Sequence, residues 1–241
     1  WYGIPFLVEK IKRTIKFKKP SNYTSEHGVT FGDSETSECS DWWYRFFRRT
    51  PTYVTLKEVQ HNKMKSFRHS IALLTRTHNK SILFKNLYES FRIQAIAHYI
   101  PEAIFIVTHR NEVENGHSIL EVRDKVFGNY NTWWSMEPPN FDKLKQLPIH
   151  QQVIEQIRGI YAVIKKDIQL SGVSKDRIFH IDYEMLCDNP SEVINDLQNF
   201  FKLNSPTIER KSYTPPVFKI RKNIRINKKL YDAMKKYAES S

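Results

Sequence analysis

The stretch that decides the fold is residues 81–118, SILFKNLYESFRIQAIAHYIPEAIFIVTHRNEVENGHS. Its pattern predicts a strand, a turn and a helix, followed by the same series again, with short apolar strands over residues 81–85 and 103–110. Each predicted strand ends on a cation, Lys85 in the first and Arg110 in the second. Because ligands of an open parallel sheet bind at the carboxyl ends of its strands, two cations at that edge indicate an anionic ligand.

The remainder of the chain alternates helical and strand patterns. Helices are predicted over residues 56–78, 112–125, 149–170, from Pro190 onward, and over 227–238, with a further strand over 177–183. Strands separated by helices of ten or more residues imply βαβ units and a parallel sheet. We therefore predict an α/β fold, built as a single domain over residues 1–241.

Composition narrows the class of protein. The 241 residues are 40% hydrophobic and 13% aromatic, which is typical of a globular chain. A formal charge of +12 favours an anionic partner, although a solvated basic surface would give the same number. Cys39 and Cys187 have neither disulfide nor metal spacing, which favours a reducing compartment such as the cytoplasm. The sequence contains no run of about 18 apolar residues, so no transmembrane segment is predicted. It contains no Cys/His cluster, so no metal site is predicted.

Arg110 and Ser118 are the first candidate ligand-binding residues. Arg110 stands where a strand ends and a helix begins, a usual place for phosphate capture, and Ser118 follows about two helical turns later. The two side chains could share one phosphate through a charge-assisted fork and a hydroxyl. The alternative is structural: Arg110 pairs with Glu112 or Glu114, and Ser118 packs within the helix.

Lys85 offers a second kind of chemistry. A lysine at a strand end can neutralise charge that develops on a transferred anionic group. The alternative is a salt bridge to Glu89, four residues later. Arg92, on the next predicted element, fits either role.

Several of these residues also carry a family resemblance. They are, in order, Lys85-Asn86-Leu87, Arg92-Ile93, IPEAIFIVTHRN over residues 100–111, Ser118, IFHIDYEML over 178–186, and DNP over 188–190. In order and spacing, over roughly residues 80–203, this series resembles the sulfotransferase family. The resemblance implies a three-layer, P-loop-NTPase-like fold with a central parallel sheet flanked by helices.

The resemblance implies 3′-phosphoadenylyl sulfate (PAPS) as the sulfuryl donor. By it, Arg110 and Ser118 would hold the donor's 3′-phosphate, and Tyr183 would lie near the adenine or the pocket wall. Arg221 and Lys222, in a basic tail, would add contacts to the 3′-phosphate. That last match is loose, since the usual glycine-containing signature is missing from the tail.

The resemblance also implies the catalytic groups. Lys85 would lie near the sulfuryl group, and a glutamate or histidine in the segment over residues 27–38 would accept the acceptor's proton. Glu35 is the first choice for this base, Glu38 the second and His27 the third. The alternative is that the two glutamates only begin the next helix, where acids favour the dipole.

Three departures from the family pattern stand out. Asn86-Leu87 replaces the usual Thr-Pro or Asp-Pro, and Glu112 replaces a usual proline. The glycine-rich loop that would cradle the 5′-phosphosulfate is not recognisable. Because the family places that loop upstream of the matching blocks, we expect the first strand and the loop to precede Trp1.

The predicted function is therefore transfer of a sulfuryl group from PAPS to a hydroxyl or amine, with PAP as the second product. The acceptor could be a carbohydrate, a lipid, a peptide tyrosine or a small molecule, and no metal or specific nucleic acid is expected. One alternative is a P-loop nucleotide kinase, for which Asp182 is the only candidate magnesium ligand. Another is a non-catalytic protein that binds polyanions or nucleic acid, favoured by the net charge.

Overall fold

The computed structural model describes residues 38–204, 216–218, 220 and 223–240, together with two short strands, β1 (Thr24–Glu26) and β2 (Val29–Phe31). These two strands pair antiparallel, with Thr24 opposite Phe31. The helices in the described ranges are α1 (Ser40–Trp43), α2 (His61–His78), α3 (Ile93–Tyr99), α4 (Glu112–Phe127), α5 (Phe141–Leu144), α6 (Ile149–Ser171), α7 (Tyr183–Asp188), α8 (Pro190–Asn204) and α9 (Lys228–Ser240). Three short 3-10 helices cover Leu56–Glu58, Leu87–Phe91 and Lys175–Arg177.

A parallel pair of strands, β3 (Phe105–His109) and β4 (Ile178–Asp182), forms the sheet that carries the site. Helices cover both of its faces. Val107 packs with Ile164 of α6 on one face, and the ring of Phe179 lies 5.2 Å from that of Phe200 of α8 on the other. Strand β3, helices α4 to α6 and strand β4 thus form a βαβ unit. The predicted α/β fold is confirmed, with the layered, P-loop-like arrangement of helices around a parallel sheet.

The predicted strand over residues 81–85 is wrong. Residues 81–86 are extended but carry no strand assignment, because no described strand lies beside them to complete a ladder. Aromatic packing holds this segment instead. The ring of Phe84 stacks on that of Trp42 at 5.5 Å and meets Trp43 edge-on at 5.0 Å. The apolar pattern alone does not make a strand, and Leu83 within it is 77% exposed.

Helices α4, α6 and α9 meet around Leu120, Ile154 and Met234. Gly116 of α4 permits their close approach. A Cβ at this position would lie 2.8 Å from the sulfur of Met234 and 3.3 Å from a methyl carbon of Val153. The missing side chain therefore brings α9, and the chain segment that leads into it, against α4.

Candidate functional site

Arg110 lies at the carboxyl edge of the sheet, between the last residue of β3 and the first turn of α4. Asn111 caps the helix, because its side-chain oxygen accepts hydrogen bonds from the backbone N–H groups of Val113 (3.0 Å) and Glu114 (3.2 Å). The predicted cap is confirmed. The helix therefore starts immediately after Arg110, whose side chain lies at the sheet edge beside the helix amino terminus.

A cleft of about 410 Å³ opens at this edge. Its lining comes from β3, α4, α7 and the chain segment before α9. Arg110, Ser118 and Tyr183, three residues chosen from the sequence, all line it. The other lining residues are Glu114, His117, Leu186, Cys187, Phe218, Ile220 and Arg225. The structure thus brings the candidate phosphate-binding residues together in one concave site of mixed apolar and cationic character.

The Arg110 guanidinium makes no ion pair with any described residue. Its carbon lies 4.8 Å from the centroid of the Tyr183 ring, and its Nε is buried with no hydrogen-bond partner among the described residues. Glu112 instead pairs with Arg158 at 2.8 Å, and Glu114 accepts a hydrogen bond from the Tyr231 hydroxyl at 2.9 Å. The alternative prediction, that Arg110 pairs with Glu112 or Glu114, is therefore wrong. An unmatched guanidinium nitrogen on a residue that lines a cleft remains available to a ligand, and an anion would match its charge.

Ser118 presents its hydroxyl to the same cleft from α4. In this structure Oγ donates to the backbone carbonyl of Glu114 at 3.1 Å, one turn earlier in the helix. Such a hydrogen bond to the preceding helical turn is weak. Rotation about the Cα–Cβ bond of Ser118 lets the hydroxyl donate to another acceptor instead. The hydroxyl can therefore turn to a phosphate oxygen without any movement of the helix.

Tyr183 forms the opposite wall. It begins α7 directly after Asp182, whose side chain caps that helix by accepting from the Met185 N–H at 2.9 Å. A side-chain hydrogen bond with Cys187 raises the pKa of Tyr183, and burial acts in the same direction, while Arg110 opposes both. The phenol is therefore neutral at physiological pH, and its ring offers a face for stacking.

The chain segment before α9 completes the cleft. The Phe218 N–H donates to the Cys187 carbonyl at 3.0 Å, which attaches this segment to α7. The Arg225 guanidinium pairs with Glu121 of α4 at 2.7 Å. Arg221 and Lys222, the tail cations chosen from the sequence, lie outside the described residues, so their contribution stays a prediction.

A second group of candidate residues lies apart from the lining of this cleft. Lys85 and Glu38 form a close ion pair. Asn86 supports it, because its side-chain nitrogen donates to the backbone carbonyl of Glu38 at 2.9 Å and to the Ser40 hydroxyl at 3.3 Å. Glu35 and His27, the other candidate bases, lie outside the described residues. The structure thus brings a predicted base and a predicted catalytic cation into contact.

Arg92 is a structural residue. Its side chain is 1% exposed, donates to Glu89 at 3.0 Å, and lies 4.7 Å from the centroid of the Phe47 ring. Glu89 is thereby occupied, and Lys85 pairs with Glu38 instead. The alternative salt bridge between Lys85 and Glu89 does not form. Burial raises the pKa of Glu89 to about 8, against the lowering effect of Arg92.

Among the described residues, no group of three or more His, Cys, Asp or Glu side chains could hold a metal ion. Asp182, the only candidate magnesium ligand of the kinase alternative, caps α7. No helix in the described part of the chain is long and apolar enough to cross a membrane.

Comparison with known proteins identifies the class. The model of the sulfotransferase family matches residues 16–207, which is more than half of the chain. The protein therefore belongs to the sulfotransferase family, and its general reaction is sulfuryl transfer. Searches of curated proteins and of solved structures returned no match.

Sequence reasoning missed three residues that shape the site. Asn86 was noted only as a departure from the family motif, yet it ties Glu38 beside Lys85. Nothing in the sequence singled out His117 as a site residue. It directly precedes Ser118 in α4, and both residues line the cleft. Arg225 belongs to the basic tail over residues 219–225 but was not singled out within it, although it directly precedes the apolar Ile226.

Proposed function

We propose that this sulfotransferase uses PAPS as its donor and binds the donor's 3′-phosphate in the cleft through Arg110 and Ser118. The observation that carries this proposal is the uncommitted guanidinium of Arg110, with a buried Nε, opposite a hydroxyl that can reorient. A guanidinium presents parallel N–H donors that match two phosphate oxygens. Each such charge-assisted contact contributes about 1.5–3 kcal/mol.

The aromatic wall supports a nucleotide in particular. Tyr183 and Phe218 line the cleft beside Arg110, so that a ring face and a cation are available to one ligand. Adenosine 3′-phosphate combines a stacking base with a dianion, whereas inorganic sulfate offers only the charge. Arg221 and Lys222 would add cationic donors to the same phosphate.

Lys85 and Glu38 are our proposed catalytic groups. In the transfer, the acceptor oxygen or nitrogen forms a bond to sulfur while the bond between sulfur and the donor's phosphate oxygen breaks, so that PAP leaves. The acceptor's proton passes to the base, which we assign to Glu35 or Glu38. The Lys85 ammonium stabilises the negative charge that moves onto the leaving phosphate oxygen. The contact between Lys85 and Glu38 supports their action at one centre.

The acceptor is proposed by class only: a hydroxyl or amine of a carbohydrate, lipid, peptide tyrosine or small molecule.

The test compares two nucleotides that differ only in the group that Arg110 would bind. Isothermal titration calorimetry should show that PAP binds the wild-type protein at least roughly ten times more tightly than AMP, which lacks the 3′-phosphate. Substitution Arg110→Gln should lower PAP affinity by roughly 10- to 100-fold and leave AMP affinity nearly unchanged. Arg76→Gln, on the exposed surface of α2, is the matched control and should change neither.

Equal affinity for PAP and AMP in the wild-type protein would contradict the proposal. Two further results would favour the alternatives. Magnesium-dependent nucleotide binding would indicate a kinase, and steeply salt-dependent DNA binding that exceeds PAP binding would indicate a polyanion-binding protein.

A further inference from the structure

His117 makes a hydrogen bond that constrains its protonation state. The side chain is 4% exposed and lies in α4 against the cleft. Its Nε2 lies 3.0 Å from the backbone nitrogen of Arg225. Because that nitrogen is an amide N–H and can only donate, Nε2 must carry no proton. The imidazole is therefore neutral, with its hydrogen on Nδ1.

This bond attaches a distant part of the chain to the helix that carries Ser118. Arg225 is held twice, by its backbone to His117 and by its guanidinium to Glu121 at 2.7 Å. The following residue, Ile226, is buried in the α4–α6–α9 core. At Arg225, this wall of the cleft is thus held by one imidazole acceptor and one ion pair, in addition to the hydrogen bond from Phe218 to Cys187 and the burial of Ile226.

The surroundings of His117 favour the neutral form. The groups that face it are Glu114 and Glu121 from its own helix, Arg110 from the end of β3, Arg225 from the segment before α9, and the Tyr231 ring of α9 at 5.7 Å. Burial lowers the pKa of His117 from its ordinary value of 6.5. Glu114 and Glu121 oppose this effect, whereas Arg225 and Arg110 add to it.

Protonation would place an N–H donor against the N–H of Arg225 in a buried position. Neither donor could then be satisfied, and the bond must break. We propose that His117 is a positioning residue: in its neutral form it holds Arg225 at the wall of the cleft, and protonation releases this segment. The consequence for ligand binding, a weaker grip on the donor in acid, rests on the proposed function.

The lowered pKa of His117 determines on which side of neutral pH the hydrogen bond to Arg225 is lost. A basic group whose pKa is lowered on folding resists protonation in the folded state. The hydrogen bond to Arg225 is therefore complete above the ordinary pKa of 6.5 and is lost as the pH falls through the lowered pKa of the folded protein.

Hydrogen–deuterium exchange tests the contact without any ligand. The amide of Arg225 should be protected at pH 7.5 and at least about threefold less protected at pH 4.5, after correction for the intrinsic exchange rate. His117→Gln supplies an acceptor that does not titrate, so protection should persist at both pH values. His117→Phe fills the space without an acceptor and should be unprotected at both. Protection that is unchanged with pH in the wild type, or retained in His117→Phe, would overturn the proposal.

PAP affinity provides the second readout. Between pH 7.5 and pH 4.5, the ratio of wild-type to His117→Gln affinity should fall at least about threefold. Titration of the phosphate itself affects both proteins equally and cancels in this ratio. A ratio that rises would overturn the proposal in favour of a protonated His117 that binds phosphate directly. If no variant binds PAP at either pH while the exchange pattern holds, the proposed donor is wrong and the positioning role of His117 stands.

Discussion

Lys85 and Glu38, 47 positions apart in the chain, form an ion pair beside the start of α1. The Lys85 side chain is 76% exposed, whereas that of Glu38 is 24% exposed. An ion pair so open to solvent contributes no more than about 1 kcal/mol to stability. The pair therefore adds little to stability, while it keeps a carboxylate and an ammonium in contact.

The first prediction concerns this pair. Lys85→Met should reduce kcat for sulfuryl transfer by roughly 100-fold or more, because it removes the charge that balances the leaving group. PAP affinity should change by less than about threefold, and the unfolding free energy by less than about 1 kcal/mol. Stopped assays with labelled PAPS and urea denaturation measure these quantities. Lys80→Met, at an exposed position just before this segment, is the control. An unchanged kcat in Lys85→Met would remove Lys85 from the mechanism.

The second prediction concerns Ser118. Ser118→Ala should leave stability within about 0.5 kcal/mol, since the hydroxyl makes only a weak bond within its own helix. PAP affinity should fall by roughly 10-fold or more, the effect of one hydrogen bond from a hydroxyl to a charged phosphate oxygen. AMP affinity should not change. Calorimetry with both nucleotides tests this, and equal losses for PAP and AMP would show that Ser118 does not contact the 3′-phosphate.

The third prediction concerns the buried pair of Arg92 and Glu89. Arg92→Met should destabilise the fold by about 1–3 kcal/mol, because it leaves the buried Glu89 carboxyl, which a pKa of about 8 keeps largely protonated at pH 7.5, without its hydrogen-bond partner. Replacing both residues, as Arg92→Met with Glu89→Leu, should recover most of that loss. Urea denaturation at pH 7.5 measures both. The double variant should also bind PAP like the wild type, because neither residue lines the cleft. A catalytic role for Arg92 would instead lower kcat in the double variant.

The fourth prediction concerns Glu58 and acid stability. The Thr55 backbone N–H, the Thr55 hydroxyl and Arg48 lower the pKa of Glu58 to about 2. A carboxyl whose pKa is lowered on folding stabilises the fold above its ordinary value of 4.5, and this contribution is lost as the pH falls toward 2. Glu58→Gln should therefore destabilise the protein at pH 7 by about 1 kcal/mol, a value reduced for solvent exposure, and by less at pH 3. A difference that does not depend on pH would contradict this assignment.

The sequence was sufficient for the elements with strong local signals. The helices over 112–125 and 149–170 were predicted within two residues of their observed ends, because the Asn111 cap and Gly172, with a φ of 62°, mark helix termini locally. The two strands of the sheet were found because each is a short apolar run between helices. The strand over 81–85 failed because a strand depends on a partner that local sequence does not specify.

For the site, the sequence by itself determined residue type and order. It placed Arg110 at a strand end and Ser118 eight positions later on a helix, which is sufficient to predict a phosphate site. Only the tertiary structure showed that Glu112 and Glu114 have other partners and that the Arg110 Nε has no partner among the described residues. Only the tertiary structure also brought His117 and Arg225, 108 positions apart, into contact. The physical reason is that local sequence specifies backbone conformation and capping, whereas the pairing of charges and donors depends on which distant segments the packing brings within about 3 Å.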